Sequence, residues 1–192
     1  MPLTIADSSA IHKLKEATHI AHTEAENLLR PRLETLASAE DYRRMLSMLY
    51  GFYHPMETEI ARWIPPSVLP DINERRNSRH LLQDIALISE GSPVAPPLSP
   101  VFKIPSVTAA LGALYVLEGS TLGGRVIAKI LSRYHFIPAA SLGFFQGYGP
   151  ETGNRWMQLV SVINKFSGRS DEMIAAANET FRLFSAWMRK NA

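Results

Sequence analysis

Three polar residues near the N-terminus, Lys15, His22 and Glu26, are spaced seven and four residues apart, which places them on one side of a helix. A histidine followed by a carboxylate at this spacing suits a metal-ligating imidazole whose orientation and basicity are fixed by a hydrogen-bonding partner. The small residues Ala21 and Ala25 leave space above the ring. The alternative interpretation is a solvated helix face with an ordinary pairing of His22 and Glu26.

A second unusual feature is the glycine content of residues 106–132, an apolar segment that the N-cap residue Ser106 predicts to be a long helix. Gly119, Gly123 and Gly124 fall within six residues at its centre. Each glycine inside a helix costs about 1 kcal/mol relative to alanine, so the absence of Cβ atoms must serve a purpose. That purpose is either close packing of another helix or a flat ligand pressed against bare backbone.

Three kinds of metal site are possible interpretations of these residues: a di-iron site, a zinc site and a heme site. A di-iron bundle needs Glu-x-x-His on two helices, and Glu16 to His19 is the only such tetrad in the chain. A zinc site could use His19, His22 and Glu26, but the remaining histidines form no second cluster. Heme needs one axial histidine with the opposite side open, and one histidine on one helix with a glycine-rich helix elsewhere suits heme best.

Composition narrows the class of protein. The chain of 192 residues is 46% hydrophobic, and its 20 basic and 18 acidic residues contain no dense basic run, so we expect no nucleic-acid partner. The absence of cysteine excludes disulfides, thiolate iron ligands and iron–sulfur clusters. Without a signal-like N-terminus or a long apolar segment, the expected location is the cytoplasm, away from membranes.

The pattern of apolar residues, caps and prolines predicts one all-α domain over residues 1–192, a bundle of about seven helices. The first predicted helix starts at Ser8 or Ser9 and ends at Pro31, and the second starts at Ser38. The other predicted segments are a helix over 73–89, an extended surface connection over 91–105, the central helix, a short turn near 137–145, and helices over 151–166 and from 170 onward.

Two segments resemble the signatures of a known family. Residues 14–27, LKEATHIAHTEAEN, resemble the proximal helix of heme oxygenases, and residues 113–124, ALYVLEGSTLGG, resemble their distal helix in small bacterial members. The resemblance implies that His22 is the proximal iron ligand and Glu26 its hydrogen-bonding partner. It also implies that Gly119 and Gly123 let the distal helix kink over the heme, with the backbone through Gly124 facing dioxygen.

The resemblance further implies basic residues against the heme propionates, with Arg182 on the last helix and Lys15 on the first as candidates and Arg125 as a weaker third. Two positions depart from the common pattern. Ser120 stands where many members carry an aspartate that orders distal water, so that network must be organised differently. Asn178 replaces a second basic residue, which affects how the heme is rotated in its pocket.

The function implied is oxidation of heme to biliverdin, Fe²⁺ and CO, with heme as both cofactor and substrate. No flavin or nicotinamide motif is present, so electrons must come from a ferredoxin or flavoprotein reductase. The purpose is either iron acquisition or supply of biliverdin to an acceptor such as a phytochrome. The alternative is a heme-binding or heme-trafficking protein that uses His22 without turnover.

Overall fold

The computed structural model describes residues 9–75, 78–88 and 97–191. These residues form an all-α bundle in which short 3-10 turns connect the helices and no β-strand occurs within the described ranges. The helices are α1 (Ala10–Glu34), α2 (Ala39–Ala61), α3 (Arg79–Ala86), α4 (Val107–Leu131), the single turn α5 (Gly143–Gln146), α6 (Thr152–Lys165) and α7 (Ser170–Lys190). The predicted fold class and the approximate helix number are confirmed.

Three of the longest helices begin at predicted serine caps. The hydroxyl oxygens of Ser9, Ser38 and Ser106 each accept a hydrogen bond from the backbone N–H three residues later. Such a cap satisfies one of the N–H groups that a helix start leaves unpaired. Each of these helix starts depends on a hydrogen bond between residues three positions apart, which is why it could be predicted from the sequence.

The central element is α4, whose first half is buried on all sides. It packs most extensively against α7, which also packs against α1. The helices α1, α2, α5 and α6 complete the surroundings of α4. At Gly112 an added Cβ would lie 2.2 Å from the carbonyl oxygen of Met173. The backbones of α4 and α7 are therefore in direct contact at this point. None of the helices in the described ranges is both long and apolar enough to cross a membrane.

The predicted end of the first helix at Pro31 is wrong, because α1 continues to Glu34 with Pro31 inside it. The tertiary structure compensates for the hydrogen bond that proline removes. Leu33, in the extra turn, is buried, and the Arg32 guanidinium donates to the carbonyl of Met188 at 2.7 Å. These contacts with the rest of the bundle hold the last turn of α1 in place.

The third predicted helix, 73–89, is also too long. Residues Ile72–Glu74 form a 3-10 turn, Arg75 is extended, and α3 covers only Arg79–Ala86. The extended backbone at Arg75 directs its side chain into the interior, where it is almost fully buried. Residue 89 lies outside the described residues.

The proline-rich connection is described only from residue 97 onward. Residues 97–105 contain no helix, as predicted, but they do not lie wholly on the surface. Ile104 is fully buried, and the backbone N–H of Ser99 donates to the carbonyl of Gly51 at 2.8 Å. The connection is therefore partly built into the core. Residues 91–96 lie outside the described residues.

Candidate functional site

A cavity of about 500 Å³ lies between α1 and α4. The first helix forms one wall and the second half of α4 forms another, while α2, α6 and α7 contribute side chains at the margins. This volume falls within the range of small-molecule sites, and such sites are mostly apolar with few polar groups. The aromatic residues that line the cavity are Phe52, Tyr53, Tyr115, Trp156, Phe181 and Phe184.

On the α1 wall, His22 and Glu26 face the cavity together. His22 Nε2 lies 3.5 Å from a carboxylate oxygen of Glu26, and the two side chains are 53% and 65% exposed. The His22 ring also meets the edge of the Phe181 ring, with centroids 5.7 Å apart and planes at 71°. The imidazole is therefore held between a carboxylate and an aromatic ring while remaining accessible from the cavity.

On the α4 wall, the three glycines of the distal segment have two different environments. An added Cβ at Gly123 would meet no atom within 4 Å, and one at Gly119 would only touch the Trp156 ring at 3.8 Å. Both glycines line the cavity, so Cβ atoms there would occupy space that is open to a ligand. The α4 helix continues without interruption through all of them.

Gly124, by contrast, does not line the cavity. A Cβ at this position would lie 2.2 Å from the carbonyl oxygen of Phe145, in the turn that follows α4. The sequence left two explanations for the glycines, helix packing or contact with a flat ligand. The structure supports packing for Gly124 and leaves ligand contact for Gly119 and Gly123.

Ser120 lines the cavity and is tied to α2. Its hydroxyl accepts a hydrogen bond from the Tyr53 hydroxyl at 3.0 Å and donates to the Leu117 carbonyl at 2.6 Å. A serine pointing back to a carbonyl within its own helix is common, but the contact with Tyr53 links two helices. The position at which the resembling family often carries aspartate is thus part of a hydroxyl pair. Sequence reasoning did not identify Tyr53 as a site residue.

A second hydroxyl pair joins α1 to α4. Thr18 is buried, and its hydroxyl donates to the Leu14 carbonyl at 2.7 Å. Tyr115 hydrogen bonds with the Thr18 side chain, yet burial still raises the pKa of the Tyr115 hydroxyl. Tyr115 therefore presents a neutral hydroxyl near the cavity wall.

The two predicted propionate-binding residues are placed differently. Lys15 lines the cavity, but Arg182 does not. The Arg182 guanidinium instead donates through Nε and Nη2 to both oxygens of Glu179, at 2.7 and 2.6 Å. Asn178, on the same helix, donates to the Ala17 carbonyl at 3.3 Å.

A buried ionic network next to the cavity was missed by sequence reasoning. Glu118 directly precedes Gly119, and its carboxylate accepts hydrogen bonds from Arg75 and from the Tyr148 hydroxyl, both at 2.8 Å. Arg75 also pairs with Asp71 at 3.1 Å. A carboxylate inside an otherwise apolar helix is the sequence signal that could have revealed it, because buried carboxylates require partners.

Within the described residues, no group of three or more histidine, aspartate or glutamate side chains is arranged to hold a metal ion. A histidine that provides a single axial ligand to heme does not need such a group. The cavity, the accessible imidazole and the open space at Gly119 and Gly123 fit a flat, largely apolar ligand.

Three comparisons with known proteins bear on the family of this chain. The family model for heme oxygenase matches residues 8–87. A heme oxygenase of Xanthomonas campestris pv. campestris is 30% identical over 160 residues, which cover 80% of this chain and 90% of the relative. The structure of heme oxygenase from Leptospira interrogans superposes with a TM-score of 0.73 at 17% identity, over 95% of this chain and 99% of that one. The chain therefore belongs to the heme oxygenase family.

Proposed function

We propose that the cavity between α1 and α4 binds heme and that the protein oxidises it with O₂ to biliverdin, Fe²⁺ and CO. The single observation that carries this proposal is that His22 and the side-chain-free backbone at Gly119 and Gly123 face one cavity. Bound there, heme supplies the iron that activates O₂ and the porphyrin that is oxidised. The roles of the protein are to hold the substrate, orient it and limit access to its faces.

His22 is the proposed axial ligand. Its neutral imidazole donates an electron pair to iron, and the Glu26 carboxylate stabilises the orientation of the ring. Phe181 packs against the side of the ring and restricts its rotation. The 3.5 Å separation of His22 Nε2 and Glu26 supports this partnership.

The proposed distal face is the backbone around Gly119 and Gly123, with Ser120 between them. Because neither glycine has a side chain, a planar substrate can approach the main chain closely. No carboxylic acid points at that face from these positions, so Ser120 and Tyr53 are the hydroxyl groups proposed to position water there. Gly124 acts on this face only indirectly, by letting α4 pack against the turn at Phe145.

Lys15 is the proposed propionate ligand at the mouth of the cavity. Arg182 remains a candidate for the second propionate, but its hydrogen bonds to Glu179 must first be replaced by hydrogen bonds to the propionate. An ion pair as exposed as Arg182–Glu179 contributes little to stability, so the exchange of Glu179 for a propionate is energetically feasible. Electrons are proposed to come from a separate ferredoxin or flavoprotein reductase, and a phytochrome-like acceptor is the proposed destination of biliverdin if the enzyme supplies a chromophore.

The decisive experiment is titration of the purified protein with hemin, followed by ascorbate in air. We expect one-to-one binding with a Soret band, and then loss of that band with growth of the biliverdin spectrum. A stable heme spectrum under reducing, aerobic conditions would instead identify a heme carrier. Absence of stoichiometric hemin binding would contradict both roles.

A further inference from the structure

A buried carboxylate on α3, that of Asp84, does not line the cavity. Asp84 is only 2% exposed, and among the described residues no lysine or arginine pairs with it. Its two oxygens instead accept hydrogen bonds from the backbone N–H groups of Gly143 and Phe144, at 3.1 and 2.8 Å. Burial raises the pKa of the Asp84 carboxyl, and these two N–H donors oppose that rise. A carboxylate buried without a cation is costly, so this contact with the α5 turn requires an explanation.

The N–H groups that Asp84 binds lie at the start of the α5 turn. A helix start leaves its first N–H groups without partners inside the helix. The residue at the N-cap position, Leu142, makes no side-chain cap hydrogen bond. No aspartate or glutamate occurs in the sequence between Glu118 and Glu151, so the segment around the turn has no carboxylate of its own. Asp84 therefore supplies the cap from another helix, 59 residues before Gly143.

The α5 turn is held closely by two helices. An added Cβ at Gly143 would lie 2.9 Å from an oxygen of Asp84, so a side chain at this position would press on the carboxylate. From α2, the Tyr42 hydroxyl donates to the carbonyl of Ser141 at 2.7 Å. Both contacts act on backbone atoms of this segment, and together they set where the next residue, Phe144, lies.

Phe144 connects the turn to the distal side of the cavity. Its ring is buried and meets the Tyr53 ring at 85°, with the centroids 5.1 Å apart. Tyr53 lines the cavity, and its hydroxyl donates to Ser120 Oγ at 3.0 Å. A continuous series of contacts therefore runs from the Asp84 carboxylate through one aromatic ring to the hydroxyl pair in the cavity.

We propose that Asp84 is a positioning residue for the Tyr53–Ser120 hydroxyl pair. This inference rests on the proposed function, in which the pair positions water on the distal face. By binding two successive N–H groups, the carboxylate fixes the α5 turn, and Phe144 in that turn fixes the orientation of the Tyr53 ring. A carboxylate suits this role because it offers two acceptor atoms and no donor. The amide of asparagine would accept with one atom and turn its NH₂ group toward the other N–H.

A purely stabilising role for Asp84 predicts a different result. In that case the carboxylate would only tie α3 to the α5 turn, and a variant that still folds would leave Tyr53 in its native environment. The environment of the Tyr53 side chain therefore distinguishes the two roles. It can be measured in the apoprotein, independently of heme.

The test labels the protein with fluorotyrosine and records its fluorine NMR spectrum without heme. The Tyr53 signal is the one of six tyrosine signals that Tyr53→Phe removes. Asp84→Asn should shift or broaden this signal. The matched control is Asp41→Asn, which alters a carboxylate that also accepts from a backbone N–H, that of Ala37 at 3.1 Å. Asp41 lies about 18 Å before Tyr53 along α2, so the control should leave the Tyr53 signal unchanged.

Two further variants separate positioning from stability. Leu33→Ala removes a buried side chain from the last turn of α1, outside the cavity lining, and should lower the melting temperature without moving the Tyr53 signal. Gly143→Ala keeps the Asp84 carboxylate but presses on it, and should move the Tyr53 signal as Asp84→Asn does. If Asp84→Asn does not fold, Gly143→Ala decides the question.

A second measurement uses the hemin complex. Hydrogen bonding on the distal face affects the pH midpoint at which the ferric complex changes its absorption spectrum. Asp84→Asn and Tyr53→Phe should shift this midpoint in the same direction, and the double variant should shift it no further than Tyr53→Phe alone. Additive shifts would overturn the proposal, because Asp84 would then not act through Tyr53.

An unchanged Tyr53 fluorine signal in folded Asp84→Asn, or in Gly143→Ala if only that variant folds, would also overturn the proposal. Failure of the unmodified protein to bind hemin would contradict the proposed function instead. In that case the fluorine signal of the apoprotein would still decide whether Asp84 positions Tyr53.

Discussion

Arg75 Nη1 lies 2.8 Å from Glu118 Oε2, and the two side chains are only 2% and 4% exposed. This ion pair joins the extended residue before α3 to α4, immediately before Gly119. Gly119, the next residue along α4, lines the cavity. Removing one member of a buried pair weakens the compensation of the other charge, and here Asp71, 3.1 Å from Arg75, would remain as its carboxylate partner.

We therefore predict that Glu118→Ala lowers the free energy of unfolding by about 1–3 kcal/mol, because the buried Arg75 keeps only Asp71 as a carboxylate partner and the Tyr148 hydroxyl loses the Glu118 acceptor. Urea unfolding followed by circular dichroism measures this. The control is Glu40→Ala, which removes the exposed partner of Arg43 and should leave the free energy of unfolding nearly unchanged. Similar losses in both variants would show that the Arg75–Glu118 pair is not buried as described.

The adjacent glycines Gly123 and Gly124 should respond oppositely to alanine. At Gly124 the new Cβ would press on the Phe145 carbonyl, so we expect a destabilisation of about 1–3 kcal/mol and a melting temperature lower by several degrees. At Gly123 the Cβ enters open space, so the apoprotein should be unchanged or more stable by up to about 1 kcal/mol.

Hemin binding should show the reverse order. Gly123→Ala places a methyl group where the ligand is proposed to lie, and should weaken hemin affinity, measured by absorbance titration. Gly124→Ala should bind hemin with near-normal affinity at temperatures where it is folded. Normal hemin binding and turnover by a larger substitution, Gly123→Leu, would contradict the assignment of this face to the substrate.

The axial-ligand proposal has a natural internal control, because α1 contains two histidine–glutamate pairs four residues apart. His22 is 3.5 Å from Glu26 and lines the cavity, whereas His12 is 3.3 Å from Glu16 and does not. His22→Ala should change the ferric spectrum of the hemin complex and weaken binding at least about tenfold. His12→Ala should leave both unchanged. An unaltered spectrum in His22→Ala would rule out His22 as the ligand.

The two basic candidates should contribute unequally to substrate orientation. Lys15 lines the cavity, so Lys15→Ala should weaken hemin affinity or alter the ratio of biliverdin isomers, measured by chromatography of the product. Arg182→Ala should have the smaller effect, because Arg182 is engaged by Glu179 and lies outside the cavity lining. A larger effect of Arg182→Ala would indicate that heme binding draws Arg182 away from Glu179.

Several features of the fold were predictable because they depend on residues close together in the chain. Ser9, Ser38 and Ser106 cap helices through hydrogen bonds to backbone three residues away. The prediction at Pro31 failed because propensity was outweighed by contacts with residues more than 150 positions later, such as Met188. Local rules cannot anticipate that compensation.

The sequence by itself determined the all-α class, the candidate His22–Glu26 pair and the presence of glycines that required an explanation. Periodicity and spacing along one helix are sufficient for each of these. Only the tertiary structure decided that Gly124 is a packing residue while Gly123 faces the cavity, that Arg182 is held by Glu179, and that Glu118 is neutralised by Arg75. These distinctions depend on which distant segment lies against each side of a helix, and that is set by the packing of the whole bundle.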